Sequence, residues 1–455
     1  MFTFFARRIV QDVIEFEKFK PYTAKSIQDT EYWHKLTPEL QEAINVVSRV
    51  MPFRTNQYVL STLIDWNNVP NDPMFRLTFP HRDMLLEEEY ESLHALIAAG
   101  DQVAIKRRVE LIWRRMNPHP AGQLTHNAAL LDGKPLAGVQ HKYPETVLFF
   151  PGAGQTCHAY CTFCFRWAQF IGEEELKFNA SEAEELVAYL RQYPEVTDVL
   201  ITGGDPLIMN TRSLAGYIEP LLQLPQIKSI RIGTKSVAYW PQRFVTDKDA
   251  DALLALFRQV VASGKNLAIM GHYSHPVELR PAIAKEAVRR ITGTGATLRM
   301  QSPVIRHINE DPYAWRELWV EGVRLGAIPY YMFVERDTGP SHYFELPLAQ
   351  AFQIFRTAYT GVSGLARTVR GPSMSTFYGK VVINGIEVVA GEKVFVLTFL
   401  QARNPDWVLR PFYARFDPQA TWLDDLVPAF GQQHFFFEHD AEPAPRKTIA
   451  LTLAV

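Results

Sequence analysis

Between about residues 146 and 360 the chain alternates short apolar runs with longer segments in which apolar positions recur every three or four residues. The runs Val147–Phe150, Val199–Thr202, Ser229–Gly233, Leu267–Met270, Thr297–Gln301 and Ile328–Val334 predict strands, each followed by an amphipathic helix. The first helix opens on Ser181-Glu-Ala-Glu184, a capping box, and the others span roughly 211–222, 247–263, 279–291, 312–325 and 347–360. Strand then helix six times over predicts an α/β fold, a parallel sheet forming a partial (β/α)6 TIM-like barrel, with chemistry at the C-terminal ends of the strands.

The flanks read differently. Residues 1–140 are mostly helical in pattern, with Pro- and Asn-rich breaks such as Asn67–Pro73 and a helical run near Glu87–Met116, and carry no catalytic motif. The barrel is expected over 141–375. After that, Val381–Val389 and Lys393–Phe399 predict strands, so 376–455 reads as a small β-rich domain that covers the barrel or forms a subunit contact. Its aromatic residues (Trp407, Phe412, Tyr413, Phe416, Trp422 and Phe435–Phe437) suit packing or an oligomer interface better than a ligand cage. No internal repeat or low-complexity stretch is present.

Composition narrows the class. With 47% hydrophobic residues the chain can bury a large core. Its net charge of -2 and scattered Lys and Arg lack the footprint of a nucleic-acid binder, which favours a small-molecule substrate. The apolar start meets Arg7, Arg8 and Asp12 too soon for a signal-peptide core, and no uncharged stretch approaches the roughly 20 residues of a membrane span. A cytoplasmic protein is expected.

All three cysteines, Cys157, Cys161 and Cys164, fall within eight positions, just after the first predicted strand. Three thiolates on one loop can hold three irons of a 4Fe-4S cluster and leave the fourth open, whereas a closed cluster or structural zinc normally takes four. Three buried structural cysteines gathered by accident are the plain alternative. Reduced thiolates with no spare cysteine for a disulfide fit a reducing compartment. One βα unit further on comes Thr202-Gly203-Gly204-Asp205-Pro206, where the glycines admit close backbone approach to a ligand and Asp205 could receive an ammonium group. Alone, such a run is more often a turn.

The cysteine spacing, three residues and then two, resembles that of the radical S-adenosylmethionine (SAM) enzymes, and the chain resembles their lysine 2,3-aminomutase branch from about 138 to 375. The blocks that carry it are Gly138–Pro144, Asp198–Asp205, Arg231–Ser236 with Pro241-Gln-Arg243, His272-Tyr-Ser-His275-Pro276, Gln301-Ser302 and Pro329-Tyr330-Tyr331. The resemblance implies a partial barrel holding the cluster, SAM bound to its open iron, and pyridoxal 5′-phosphate (PLP). It implies a 5′-deoxyadenosyl radical that takes hydrogen from the β-carbon of a PLP-bound amino acid, whose amino group then moves from C2 to C3. An isomerase acting on an amino acid is thus expected, with a reductant such as flavodoxin or ferredoxin and a homo-oligomeric assembly.

Residue by residue, the resemblance places Gly203, Gly204, Asp205, Thr234 and Gln301 at SAM. It places Arg166 on the substrate α-carboxylate, a task suited to a planar guanidinium; a surface pair with Glu173 is the alternative. His272 and His275 either line a cofactor pocket or are ordinary core histidines. Tyr143 keeps a PLP position, but an arginine that contacts the PLP phosphate in resembling enzymes corresponds here to Thr146, with Lys142 or Arg306 as candidate replacements. The imine-forming lysine falls on Phe377 without gaps; a three-residue insertion in Arg370–Lys380 restores Gly379-Lys380, and Lys380 is the lysine we expect. A surface lysine at a strand start is its alternative. Members acting on lysine grip its ammonium with two aspartates, and those positions hold Arg336 and Arg370, which suits an acidic side chain such as that of glutamate or aspartate. Asp337 beside Arg336 could restore one acid, and rim pairs with Glu335 or Asp337 are the structural alternative.

Two other readings remain open on sequence alone. One is a PLP-independent radical SAM epimerase, dehydrogenase or modifying enzyme on an amino-acid-like substrate. The other is a non-catalytic iron-sulfur protein.

Overall fold

The computed structural model describes residues 19–117, 127–171 and 183–438. Near the start, strands β1 (Pro21–Thr23) and β2 (Arg54–Asn56) form a small antiparallel pair. All other strands join one sheet, and their spatial order follows the chain from one edge to the other. The hairpin β3 (Ala128–Leu131) and β4 (Lys134–Tyr143) leads into β5 (Thr146–Phe149), β6 (Asp198–Ile201), β7 (Ser229–Thr234), β8 (Asn266–His272), β9 (Thr297–Val304) and β10 (Ile328–Val334). These are followed by β11 (Arg370–Ser375), β12 (Gly379–Val389), β13 (Glu392–Ala402) and β14 (Phe412–Arg415). Strands β5 to β11 run parallel. The edges β3 and β14 do not pair with each other, so the sheet stays open rather than closing as a full barrel.

Six predicted strands lie within a residue or a few of their observed bounds, and β11 is a seventh parallel strand where the sequence read as a loop. Gly371 explains how it fits: a Cβ there would strike the carbonyl of Met332 on β10. The helices between parallel strands are Ala183–Gln192, Thr211–Leu222, Ala250–Ala262, Ala282–Thr292, Pro312–Arg324 and Leu348–Thr360. Their starts follow side-chain chemistry: Asn210 accepts from the Ser213 amide at 2.9 Å, and Asp311, followed by Pro312, accepts from the Tyr313 amide at 2.9 Å. The capping box at 181–184 begins outside the described residues.

In the N-terminal region the predicted run Glu87–Met116 is two helices, Glu87–Ala99 and Gln102–Met116. Gly100 takes a left-handed φ of 71° that ends the first, and Asp101 caps the second. The block before the first predicted strand is itself the end of β4. The C-terminal aromatics Trp407, Phe412, Trp422, Phe435 and Phe437 are buried together in a second apolar core against β12 and β13, which is packing. Among the described residues no helix is long and apolar enough to cross a membrane.

Candidate active site

The cysteine loop leaves β5 through a single short turn at Gly152–Gly154, and the N-terminal region holds it. The Tyr160 amide donates to the Arg54 carbonyl at 2.8 Å and the Thr162 amide to the Leu77 carbonyl at 3.0 Å. Arg54 donates to the Thr156 hydroxyl at 2.9 Å, and buried Asn56 donates to the carbonyls of His158 and Tyr239 at 3.2 and 3.0 Å. The residues that sequence reasoning left without a role thus clamp the loop from outside.

The three thiols are free and partly buried. Burial raises all three; Asp205 and then the other two thiols add to it at Cys157, and Cys164 is pushed up to about 12 by burial and then by Cys161. Charged together, they need positive charge between them. Among the described residues no three His, Cys, Asp or Glu side chains stand as ligands of one metal ion. A cubane cluster asks for something else, because each thiolate binds its own iron at a separate corner, and three thiols on one loop fit that chemistry. The Tyr239 hydroxyl lies 3.3 Å from the Cys161 sulfur, a partner 78 residues away with no motif to mark it.

The glycine motif after β6 packs directly on this loop. A Cβ on Gly204 would lie 2.6 Å from the Thr156 amide nitrogen, and one on Gly203, at φ 142°, would strike the Gln155 side chain. The Asp205 amide donates to the Thr156 carbonyl at 2.7 Å. Asp205, expected to receive a ligand's ammonium, is engaged within the fold itself. Its carboxylate is buried and accepts from the Thr234 hydroxyl (2.7 Å), the amides of Leu207 (3.0 Å), Lys235 and Ser236 (2.9 Å each) and the Ser236 hydroxyl (2.9 Å). It is a brace that joins β6 to β7, and Thr234 is bound into the same network. Gln301 donates toward His272 at 2.9 Å across the ends of β9 and β8. Burial, then Lys235 and Arg166, pull His272 down to about 3, so it is neutral, while His275 caps the short turn after it.

Arg166 lies over the rings of Phe150 (4.2 Å) and Phe165 (5.2 Å), and Arg336 approaches Phe165 from 5.7 Å. Among the described residues no carboxylate pairs with Arg166, and burial pulls it down to about 10. The proposed partner Glu173 lies outside the described residues. Arg336 meets Asp337 only at 3.8 Å, and its Nε is buried with no hydrogen-bond partner. These two arginines belong to the cysteine end of the sheet. Arg370 does not join them: its guanidinium lies 4.6 and 4.3 Å from the rings of Tyr330 and Tyr331, near the strand starts.

Lys380 is the second residue of β12 and points back across the sheet. Its Nζ lies 4.1 Å from the Tyr331 ring centroid and 3.5 Å from Gln401 Oε1. Burial, then Arg231 and Arg370, lower it to about 7, so much of it is a free amine at neutral pH. Phe377 and Tyr378 occupy the turn between β11 and β12. Lys142 donates to the Thr376 carbonyl on that turn, and Tyr143 stands beside it. Arg306 turns away, donating to the Glu345 carbonyl at 3.0 Å. A cavity of about 400 Å³ opens at the strand starts between Tyr331, Arg370, Arg231 and Arg299. Sequence reasoning missed Arg299, whose position inside a regular strand gives no signal.

No family model matches the chain. It is 31% identical over 404 residues to a protein of Aquifex aeolicus provisionally named L-lysine 2,3-aminomutase, covering 89% of this chain and 95% of that protein. It is 26% identical over 355 residues to L-lysine 2,3-aminomutase of Acetoanaerobium sticklandii, covering 78% and 72% of the two chains. It is 25% identical over 331 residues to glutamate 2,3-aminomutase of Clostridioides difficile, covering 73% and 67%. Among solved structures, Streptococcus suis SuiB aligns at a TM-score of 0.36 and 14% identity over 71% of this chain and 69% of that one, a likeness that carries no argument. On the strength of the first of these relatives, the chain belongs to the lysine 2,3-aminomutase family of radical SAM enzymes, as a divergent member.

Proposed function

We propose that the chain is a radical SAM aminomutase that moves the amino group of an amino acid from C2 to C3, with an open barrel over 141–375 and residues 376–455 as a cover that delivers Lys380. The observation that carries this reading is the place of Lys380, a buried amine against Tyr331 in the sheet that also bears the three-cysteine loop, its pKa lowered to about 7 by burial. When bound, the cluster would supply an electron, SAM the adenosyl radical and PLP a conjugated electron sink. The residues do the rest. Cys157, Cys161 and Cys164 would hold three irons, and the Asp205 brace sets the loop they stand on. Arg166 and Arg336 would bind carboxylates, with aromatic rings beside both guanidinium groups. Arg336, at a position where members acting on lysine carry an acid, supports a substrate with an acidic side chain.

Absorbance of the purified protein with PLP tests the assignment: a band of covalently attached PLP is expected, and Lys380→Ala should abolish it. Retention of the band in that variant would remove Lys380 from the role. A PLP-independent radical SAM reaction is the second reading, favoured by Thr146, whose hydroxyl donates to Asp198 at 3.1 Å where an arginine would serve a phosphate. Wild-type protein that cleaves SAM but binds no PLP would select it.

A further inference from the structure

The cavity at the strand starts is lined by three guanidinium groups, Arg231, Arg299 and Arg370, against one carboxylate, Asp198. That carboxylate is already engaged. Arg231 holds it through Nε at 2.9 Å and through a second contact from Nη2, and the Thr146 hydroxyl donates to it at 3.1 Å. Arg299 and Arg370 are left over. Among the described residues neither has a carboxylate partner, and both lie on the Tyr330 ring, at 5.2 and 4.6 Å. Two guanidinium groups brought together without an anion repel each other, and the field favours a guest of opposite charge. Both guanidinium groups lie over a tyrosine ring, and their planar forks can take phosphate or carboxylate oxygens in pairs. The cavity's volume of about 400 Å³ is that of a small-molecule site.

We propose that this cavity is a phosphate-dianion site, with Arg299 and Arg370 as its ligands, and that it takes the phosphate of PLP. The assignment to PLP rests on the reading of Lys380 given above; the anion site itself does not. Lys380 and Arg370 both lie against the ring of Tyr331, at 4.1 and 4.3 Å, so a phosphate ester seated on the arginines has the amine within the same pocket wall. Thr146, which stands where resembling enzymes place a phosphate-binding arginine, lines this same cavity. The charge absent at 146 is thus restored from β9 and β11 across the cavity.

Equilibrium binding to the full chain separates the two layers of the claim. Inorganic phosphate, PLP and pyridoxal, which lacks the phosphate, are titrated against wild type, Arg299→Gln, Arg370→Gln, Arg299→Lys and Lys380→Ala, with circular dichroism confirming the fold of each. Wild type is expected to bind PLP far more tightly than pyridoxal, with phosphate competing. At a pH above the Lys380 midpoint, each Gln variant should weaken PLP and phosphate by about 10- to 100-fold and leave pyridoxal unchanged, and Arg299→Lys should recover part of the loss. Lys380→Ala should lose the covalent band yet keep phosphate binding. Arginine-dependent phosphate binding without any attachment of PLP would uphold the anion site and reject PLP as its guest. Covalent PLP with affinity indifferent to both arginines, and no competition by phosphate, would overturn the site while leaving Lys380 in its role.

Discussion

The backbone amide of Asp205 donates to the carbonyl of Thr156 at 2.7 Å, which staples the glycine motif after β6 to the residue that precedes Cys157. Gly204 makes the approach possible, since a methyl group there would lie 2.6 and 2.7 Å from the Thr156 amide nitrogen and carbonyl oxygen. Both are backbone atoms, so the loop itself must move. Gly204→Ala should therefore lower iron and sulfide per chain after anaerobic reconstitution by severalfold, with the secondary structure intact by circular dichroism. Full iron content in that variant would show that the staple does not set the cysteines.

Asp205→Asn tests the brace. The amide would turn a donor toward the Thr234 hydroxyl or toward the Lys235 and Ser236 amides, which all donate, leaving buried groups unpaired. A loss of about 1–3 kcal/mol is expected in urea unfolding of the protein without its cluster. An unchanged midpoint would mean that Asp205 serves a ligand rather than the fold.

Tyr239 faces the Cys161 sulfur at 3.3 Å, and a hydroxyl donating to a cluster thiolate stabilises the reduced, more negative state. Tyr239→Phe should shift the cluster's reduction potential to a more negative value, read by redox titration with electron paramagnetic resonance. A potential that stays in place would separate the tyrosine from the cluster.

Covalent attachment of PLP by Lys380 needs its free amine. Burial, then the cations Arg231 and Arg370, hold its pKa at about 7. The sign follows: the amine is protonated below that value and reactive above it, so the rate of PLP uptake should rise up to about pH 7 and level off beyond. In Arg370→Gln the midpoint should move upward. A rate that keeps climbing to pH 10 would describe an ordinary exposed lysine.

The parallel strands β5 to β10 were legible because their apolar runs are short and bounded by amphipathic helices. β11 was not, since Arg370-Gly-Pro-Ser-Met-Ser carries two breakers and two serines, and only its buried place beside β10 makes it a strand. The cysteines and glycines announced themselves by spacing. Asp205 was visible as an acid, but apart from the Leu207 amide its donors come from about 30 residues further along, so its role as a brace was not. The N-terminal clamp was hidden for another reason: much of it is backbone carbonyls, of Arg54, Arg76 and Leu77, and carbonyls have no sequence signature. Arg336 and Arg370 were paired by analogy with two aspartates, and the structure sets them at different ends of the site.

The most direct test of the account is anaerobic turnover. The reconstituted protein is given dithionite, SAM, PLP and glutamate, aspartate or lysine in turn, and products are read by mass spectrometry. Formation of 5′-deoxyadenosine together with a β-amino acid from an acidic substrate, lost in Cys161→Ala and in Lys380→Ala, is the predicted result. Deoxyadenosine without a β-amino acid from any of the three, and unaffected by Lys380→Ala, would contradict it.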